Sequence, residues 1–158
     1  MGILTQDMQR LVHEQRLAFV ASIGADGTPS LSPKATTRVY DDDHLAYLDI
    51  ASPGTRANIA KHPAVEVNVV DHILRRGYRF KGVARLLTAG PEFERAIGLF
   101  RAHSTLIGRS KGVVLIRVER ASALLSPAYA AGRSAAELAA EFADYYGKLA
   151  AERVAANP

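Results

Sequence analysis

Lys34, Arg38, Gly54, Thr55 and Arg56 are the residues whose types and spacing suit chemistry on an anion. Ser52-Pro53-Gly54 forms a tight loop, and a short helix is expected from there to Lys61. His62-Pro63 ends it, because the residue before a proline disfavours the α region. The first turn of a helix carries N–H groups with no intrahelical partner and the positive end of the dipole, which together favour a phosphate. The Thr55 hydroxyl and the Arg56 guanidinium add donors there, since arginine can hold phosphate through two parallel N–H bonds. The same residues also describe an ordinary helix start, with a capping threonine and a solvated arginine. Lys34 and Arg38 lie on one strand, the first of the two expected before this helix.

Other chemistries find no support. The five histidines, His13, His44, His62, His72 and His103, show neither HxxxH nor HExxH spacing, so no metal site is expected. The absence of cysteine excludes disulfides, thiolate catalysis and Cys-based metal centres. The Gly-x-Ser-x-Gly elbow, the GxxxxGK[ST] loop and the Gly-rich dinucleotide fingerprint are all missing. Asp41-Asp42-Asp43 reads as a solvated turn without the spacing of a calcium loop. No side chain is therefore expected as the catalytic actor. Such a chain either binds something or takes its chemistry from a cofactor.

The elements that must position these residues read mostly as strands. Thr5 to Arg16 has Leu4, Met8, Leu11 and Val12 at helical spacing. Leu17 to Ile23 suits a buried strand. Asp26-Gly27 signals a hairpin, and the return strand is expected from about Thr28 to Tyr40, irregular or at an edge because Pro29 and Pro33 each remove a ladder donor. Further strands are expected over Leu45–Ile50, Ala64–Asp71, Tyr78–Leu87 and Val113–Val118, the last extending toward Leu125. A helix starts at Gly90-Pro91-Glu92, and its buried stripe is Phe93, Ile97 and Phe100. Ser134 and Glu137 make a capping box for a C-terminal helix striped by Leu138, Phe142, Tyr145 and Leu149. Tyr129 and Tyr146 are expected as packing or rim residues. About six strands at short spacing point to an antiparallel barrel or sandwich.

With 158 residues, 48% apolar and 23% charged, the chain is most simply one domain with residues 126–158 as a helical extension. A formal charge of +4 leaves nucleic acid, an anionic membrane or a phosphorylated small molecule as partner classes. No aromatic-plus-basic platform for nucleic acid is evident. Neither a secretory leader nor a membrane-spanning run is read, so a cytoplasmic location is expected.

The stretches ADGTPSLSPKATTRV, DDDHLAYLDIASPGTRANIAKHPAVEVNVV, YRFKGVARLLTAGPEFERAI and VVLIRVERASALLSP, in that order, resemble the FMN-binding split-barrel family, the pyridoxamine 5′-phosphate oxidase-like proteins. The resemblance runs from about Met8 to Leu125. It implies a six-stranded antiparallel split β-barrel with flanking helices and an extra C-terminal helix. It further implies FMN in a groove at a homodimer interface. Ser32, Pro33, Lys34 and Ala35 would then run along the isoalloxazine ring, and backbone N–H groups from there to Thr36 would tune its potential. Asp49 and Ile50 would border the ring or ribityl chain. Thr55 and Arg56 would hold the phosphate, with Lys34 or Arg38 as further cations, and Arg79 and Lys81 would reach across the dimer.

The resemblance implies an FMN-dependent oxidoreductase using a small-molecule substrate or a donor such as NAD(P)H. The alternatives are an electron-transfer or flavin-storing protein, or a groove holding a deazaflavin or haem. The Arg-, Trp- and Pro-rich C-terminal segment of the vitamin B6 oxidases has no counterpart in SPAYAAGRSAAELAAEFADYYGKL, which contains no tryptophan.

Overall fold

The computed structural model describes residues 2–102 and 105–156. Seven antiparallel strands form one sheet in the order β2-β1-β5-β6-β7-β4-β3. They are β1 (Ala18–Ile23), β2 (Pro29–Lys34), β3 (Arg38–Asp41), β4 (His44–Asp49), β5 (Ala64–Asp71), β6 (Arg76–Leu87) and β7 (Gly112–Leu125). Helices α1 (Gln6–Gln15), α2 (Pro53–Lys61), α3 (Pro91–Arg101), α4 (Pro127–Ala130) and α5 (Ala135–Ala156) flank it.

The expectation of six strands and one long return strand is corrected here. The chain from Pro29 to Asp41 breaks into β2 and β3, because the Thr37 hydroxyl donates to the Lys34 carbonyl at 3.0 Å and turns the backbone. The two pieces become the opposite edges of the sheet, and none of the described pairings joins them. The barrel therefore stays open along that seam. Pro29 and Pro33 sit on edge strand β2, where a missing ladder donor costs least.

Two apolar layers hold the sheet. Inside the curve, Val20, Leu45, Tyr47, Val67, Phe80 and Ile116 pack with Leu11 and Val12 of α1 and Ile59 of α2. Outside it, Ala46, Leu48, Val113 and Leu115 pack under Ala96, Ile97 and Phe100 of α3. Strand β4 is thus buried on both faces, which positions its last residue, Asp49. The β6–β7 ladder shifts register between Lys81 and Gly82, and a Cβ at Gly82 would meet the Arg117 carbonyl oxygen at 2.1 Å. Only glycine lets the two backbones approach this closely.

The helix ends follow local chemistry. Thr5 caps α1 by accepting the Met8 N–H, and Ser134 and Glu137 exchange the reciprocal bonds of a capping box. Helix α5 meets the β5–β6 turn through the Tyr146 ring, 4.7 Å from His72, and through Phe142, which lies under Arg75 at 4.8 Å. The stripe expected through Tyr145 is corrected: Tyr146 makes the contact with the barrel, and Tyr145 is 56% exposed. No described helix is long and apolar enough to cross a membrane.

Replacing Phe80, fully buried, with alanine should cost about 3–5 kcal/mol in urea unfolding. Gly82→Ala should cost about 1–3 kcal/mol by the same measurement, with the Arg117 backbone displaced. At the foot of the barrel the Tyr78 hydroxyl donates to Asp7 Oδ2 at 2.6 Å. This bond, with Arg10 beside it, lowers the Asp7 pKa. A depressed carboxyl contributes stability above its unfolded-state value and loses it as pH falls through the folded value. Tyr78→Phe should therefore raise the Asp7 pKa toward the ordinary 3.8, read from its NMR titration, and flatten the acid limb of the stability profile.

Candidate functional site

The open seam and the start of α2 bring most of the candidate residues together. Ser32 and Lys34 pair with Val20 and Ala18, both core residues, so their side chains face the inside of the sheet while Leu31 and Pro33 face out. Lys34 is only 5% exposed. Its ammonium donates to Ser32 Oγ at 2.5 Å and to Ser52 Oγ at 2.7 Å, and lies 5.5 Å from the centre of the Tyr47 ring. Burial lowers the Lys34 pKa, and the negative charge of Asp49 opposes the shift.

Asp49 is buried on the same side of β4 as Tyr47, and its Oδ2 lies 3.2 Å from an Arg56 terminal nitrogen. The contact is an ion pair without hydrogen-bond alignment, which leaves that carboxylate oxygen without a hydrogen bond. The Tyr47 hydroxyl is also buried without a partner, and desolvation followed by the Asp49 charge pushes its pKa up. Buried polar atoms in folded proteins are normally satisfied, so two orphans in one cluster mark a place where a ligand or water completes the bonding. The Arg56 side chain is 38% exposed and forms the solvent side of the cluster.

Helix α2 begins with Pro53, which has no N–H, and its N-cap Ser52 makes no capping bond to the first turn. A Cβ at Gly54 would meet open space, so the approach to the first turn is clear there. Thr55 is buried beneath it, and Asn58 donates to Ser22 Oγ at 3.0 Å, tying the helix to β1. Ile50 follows Asp49 at the margin of the outer apolar layer.

Ala35 and Thr36 form the turn between the edge strands. The Thr36 hydroxyl accepts the Leu48 N–H at 3.0 Å and so fixes the turn to β4. Ala35 and Thr36 also line a cavity of about 580 Å³ with Arg16, Arg38, Phe100 and Leu106. It adjoins a second cavity of about 360 Å³ that shares Arg16 and Arg38 and adds His13 and Leu99. No described carboxylate pairs with Arg16 or Arg38. The groove is therefore lined by arginines beside apolar side chains. Burial and then the Arg38 charge lower the His13 pKa.

Arg79 and Lys81 stand apart from this cluster. They sit opposite Asn68 and Glu66 in the ladder, on the outward face of the sheet, and share the Glu66 carboxylate at 2.8 and 3.5 Å. Within one subunit they lie on the other side of the sheet from Lys34. Ser52, Tyr47 and Arg16 were not singled out from the sequence. Ser52 carried a signal, a serine before Pro-Gly, whereas the left-handed Arg16 that caps α1 did not. His103 lies outside the described residues. Among the described residues no group of His, Asp and Glu is placed to hold a metal. Arg38→Gln should raise the His13 pKa part of the way toward its ordinary value, because burial is the larger cause, and the imidazole NMR titration will read it.

Comparison with known proteins adds the lineage. The family model described as pyridoxamine 5′-phosphate oxidase matches residues 4–124. The crystal structure of HupZ from Group A Streptococcus is 36% identical, with a TM-score of 0.69, and the match covers 77% of this chain and 94% of that one. An FMN-binding protein from Syntrophomonas wolfei shares the fold at 12% identity and a TM-score of 0.64, over 76% of this chain and 85% of that one. A protein described as an F420 reductase shares it at 16% identity and a TM-score of 0.58, over 75% and 98%. No curated protein sequence matches. A family match over most of the chain, with a relative 36% identical across 77% of it, makes this protein a member of the pyridoxamine 5′-phosphate oxidase-like family.

Proposed function

We propose that the protein is an FMN-dependent oxidoreductase whose flavin lies at a homodimer interface. The observation that carries the reading is the start of α2. Its first-turn N–H groups have no side-chain cap, and Arg56 stands beside them. A phosphate fits such a place, since helix N–H donors and a guanidinium both favour a dianion. The Asp49 oxygen that lacks a hydrogen bond supports a polar ligand in the same cleft.

When bound, FMN supplies the electron and hydride transfer that no side chain of this chain offers. The chain's own part is binding, orientation and access. The Gly54 and Thr55 N–H groups and Arg56 would anchor the phosphate, and Asp49 would hold the guanidinium in place. The backbone from Ser32 to Thr36, with Asp49 and Ile50, would border the rest of the cofactor. The cavity beside Ala35 and Thr36 suits a substrate with a negative charge and an apolar body, because Arg16 and Arg38 have no described carboxylate partner there and Phe100 and Leu106 line it. Its volume lies within the roughly 300–1,000 Å³ of small-molecule sites. Arg79 and Lys81, facing outward, would meet the cofactor of a second subunit. The exposed Phe19, Ile23 and Leu31 on that face give a second copy an apolar surface to cover.

The visible spectrum and mass of the chromophore that co-purifies test the reading directly. FMN supports it, a deazaflavin or haem replaces it, and a colourless protein that fails to bind added FMN ends it. Stopped-flow reduction by NADH or NADPH separates an enzyme from an electron carrier, since reduction by neither leaves the carrier ahead. Arg56→Ala should weaken FMN at least tenfold in isothermal titration, because hydrogen bonds to charged groups carry about 1.5–3 kcal/mol. Light scattering should give the mass of a dimer.

A further inference from the structure

Lys34 is buried with no carboxylate bonded to its ammonium. An ammonium withdrawn from water normally faces a carboxylate, yet the two groups it bonds are the hydroxyls of Ser32 and Ser52. A methionine of similar length would fill the position with less desolvation. Ser52 is unusual in a matching way. As the N-cap residue of α2 it would ordinarily turn Oγ over the first turn to accept an N–H from the second or third helical residue. Here its backbone, at φ −129° and ψ 54°, departs from the usual extended cap. Its Oγ faces Lys34 Nζ and makes no bond to the helix. Each residue thus forgoes its ordinary partner for the other.

We infer that Lys34 is a positioning residue: by donating to Ser52 Oγ it holds that serine away from the capping position and keeps the Gly54 and Thr55 N–H groups open to a ligand phosphate. The inference rests on the reading of the α2 start as a phosphate anchor, and it gives Lys34 a role different from a direct charge contact with the cofactor. Ser32, two residues earlier on the same face of β2, is the second acceptor that keeps Nζ aimed at the helix start. The buried Asp49 supplies the negative charge that favours the protonated amine. Edge strand β2 and helix α2 are joined by this bond across 18 residues of sequence.

The variants Lys34→Met, Ser52→Ala and the double variant test it. Without the lysine, Ser52 is free to cap. Amide hydrogen exchange at Gly54 or Thr55 in the flavin-free protein should then slow about fivefold in Lys34→Met, the protection that an added cap confers. It should stay fast in Ser52→Ala and in the double variant. Isothermal titration with FMN should weaken about tenfold in Lys34→Met and recover in the double variant, which has no serine to block the site. Unchanged exchange in Lys34→Met, or a double variant that binds as weakly as Lys34→Met, would overturn the inference. The second result would make Lys34 a direct charge on the phosphate. Lys34→Leu, which likewise has no donor for Ser52, should give the same slowing in the exchange experiment and guards against a fold lost to the methionine. A wild-type chain that binds no FMN would remove the phosphate reading alone, and the exchange data would still uphold or overturn the hold on Ser52.

Discussion

The open seam between β2 and β3 is the constraint on which the site depends. A fully closed barrel would pair the edges and leave no cleft beside them. Here the chain turns at Ala35-Thr36-Thr37, sends its two halves to opposite ends of the sheet, and leaves polar groups facing the gap. Burying polar side chains is unfavourable unless they are bonded. The fold answers by joining Lys34 to two serines and Asp49 to Arg56, with α2 laid across the cluster. Two oxygens, on Tyr47 and Asp49, remain unsatisfied.

The charged groups divide between the two faces of the sheet. Lys34, Asp49 and Arg56 lie at the inner cleft, where low polarity strengthens each interaction. Arg79, Lys81 and Glu66 lie on the outer face, partly exposed, where an ion pair contributes less. A second subunit seated on the outer face would change that environment without changing any residue.

Much of the fold was legible because its signals are local. The Asp26-Gly27 hairpin, Thr5 at the start of α1, the proline-bearing edge strand and the Ser134–Glu137 box each depend on neighbours within a few residues. The start of α2 was legible for the same reason. The break between β2 and β3 was not, since Ala-Thr-Thr carries no glycine or proline to announce the turn that the Thr37 hydroxyl makes with the Lys34 carbonyl. The inward direction of Lys34 was hidden for a stronger reason. Alternation along β2 places Leu31 and Pro33 outside and Ser32 and Lys34 inside, the reverse of the usual polarity. Tyr146 rather than Tyr145 reaches the barrel because it stands four residues after Phe142, whereas Tyr145 stands three, and only docking distinguishes the two.

Strand β7 runs for 14 residues and is laddered to β6 on one side and β4 on the other, a stiff keel through the middle of the sheet. The outermost strands have one neighbour each, and the turn joining them spans the gap unsupported by backbone rungs. A molecule lodged there would touch both margins at once and stand in for the strand pairing that the sheet lacks. Occupancy would then be felt as mechanical bracing, with the rim loosening on release while the keel stays as it is.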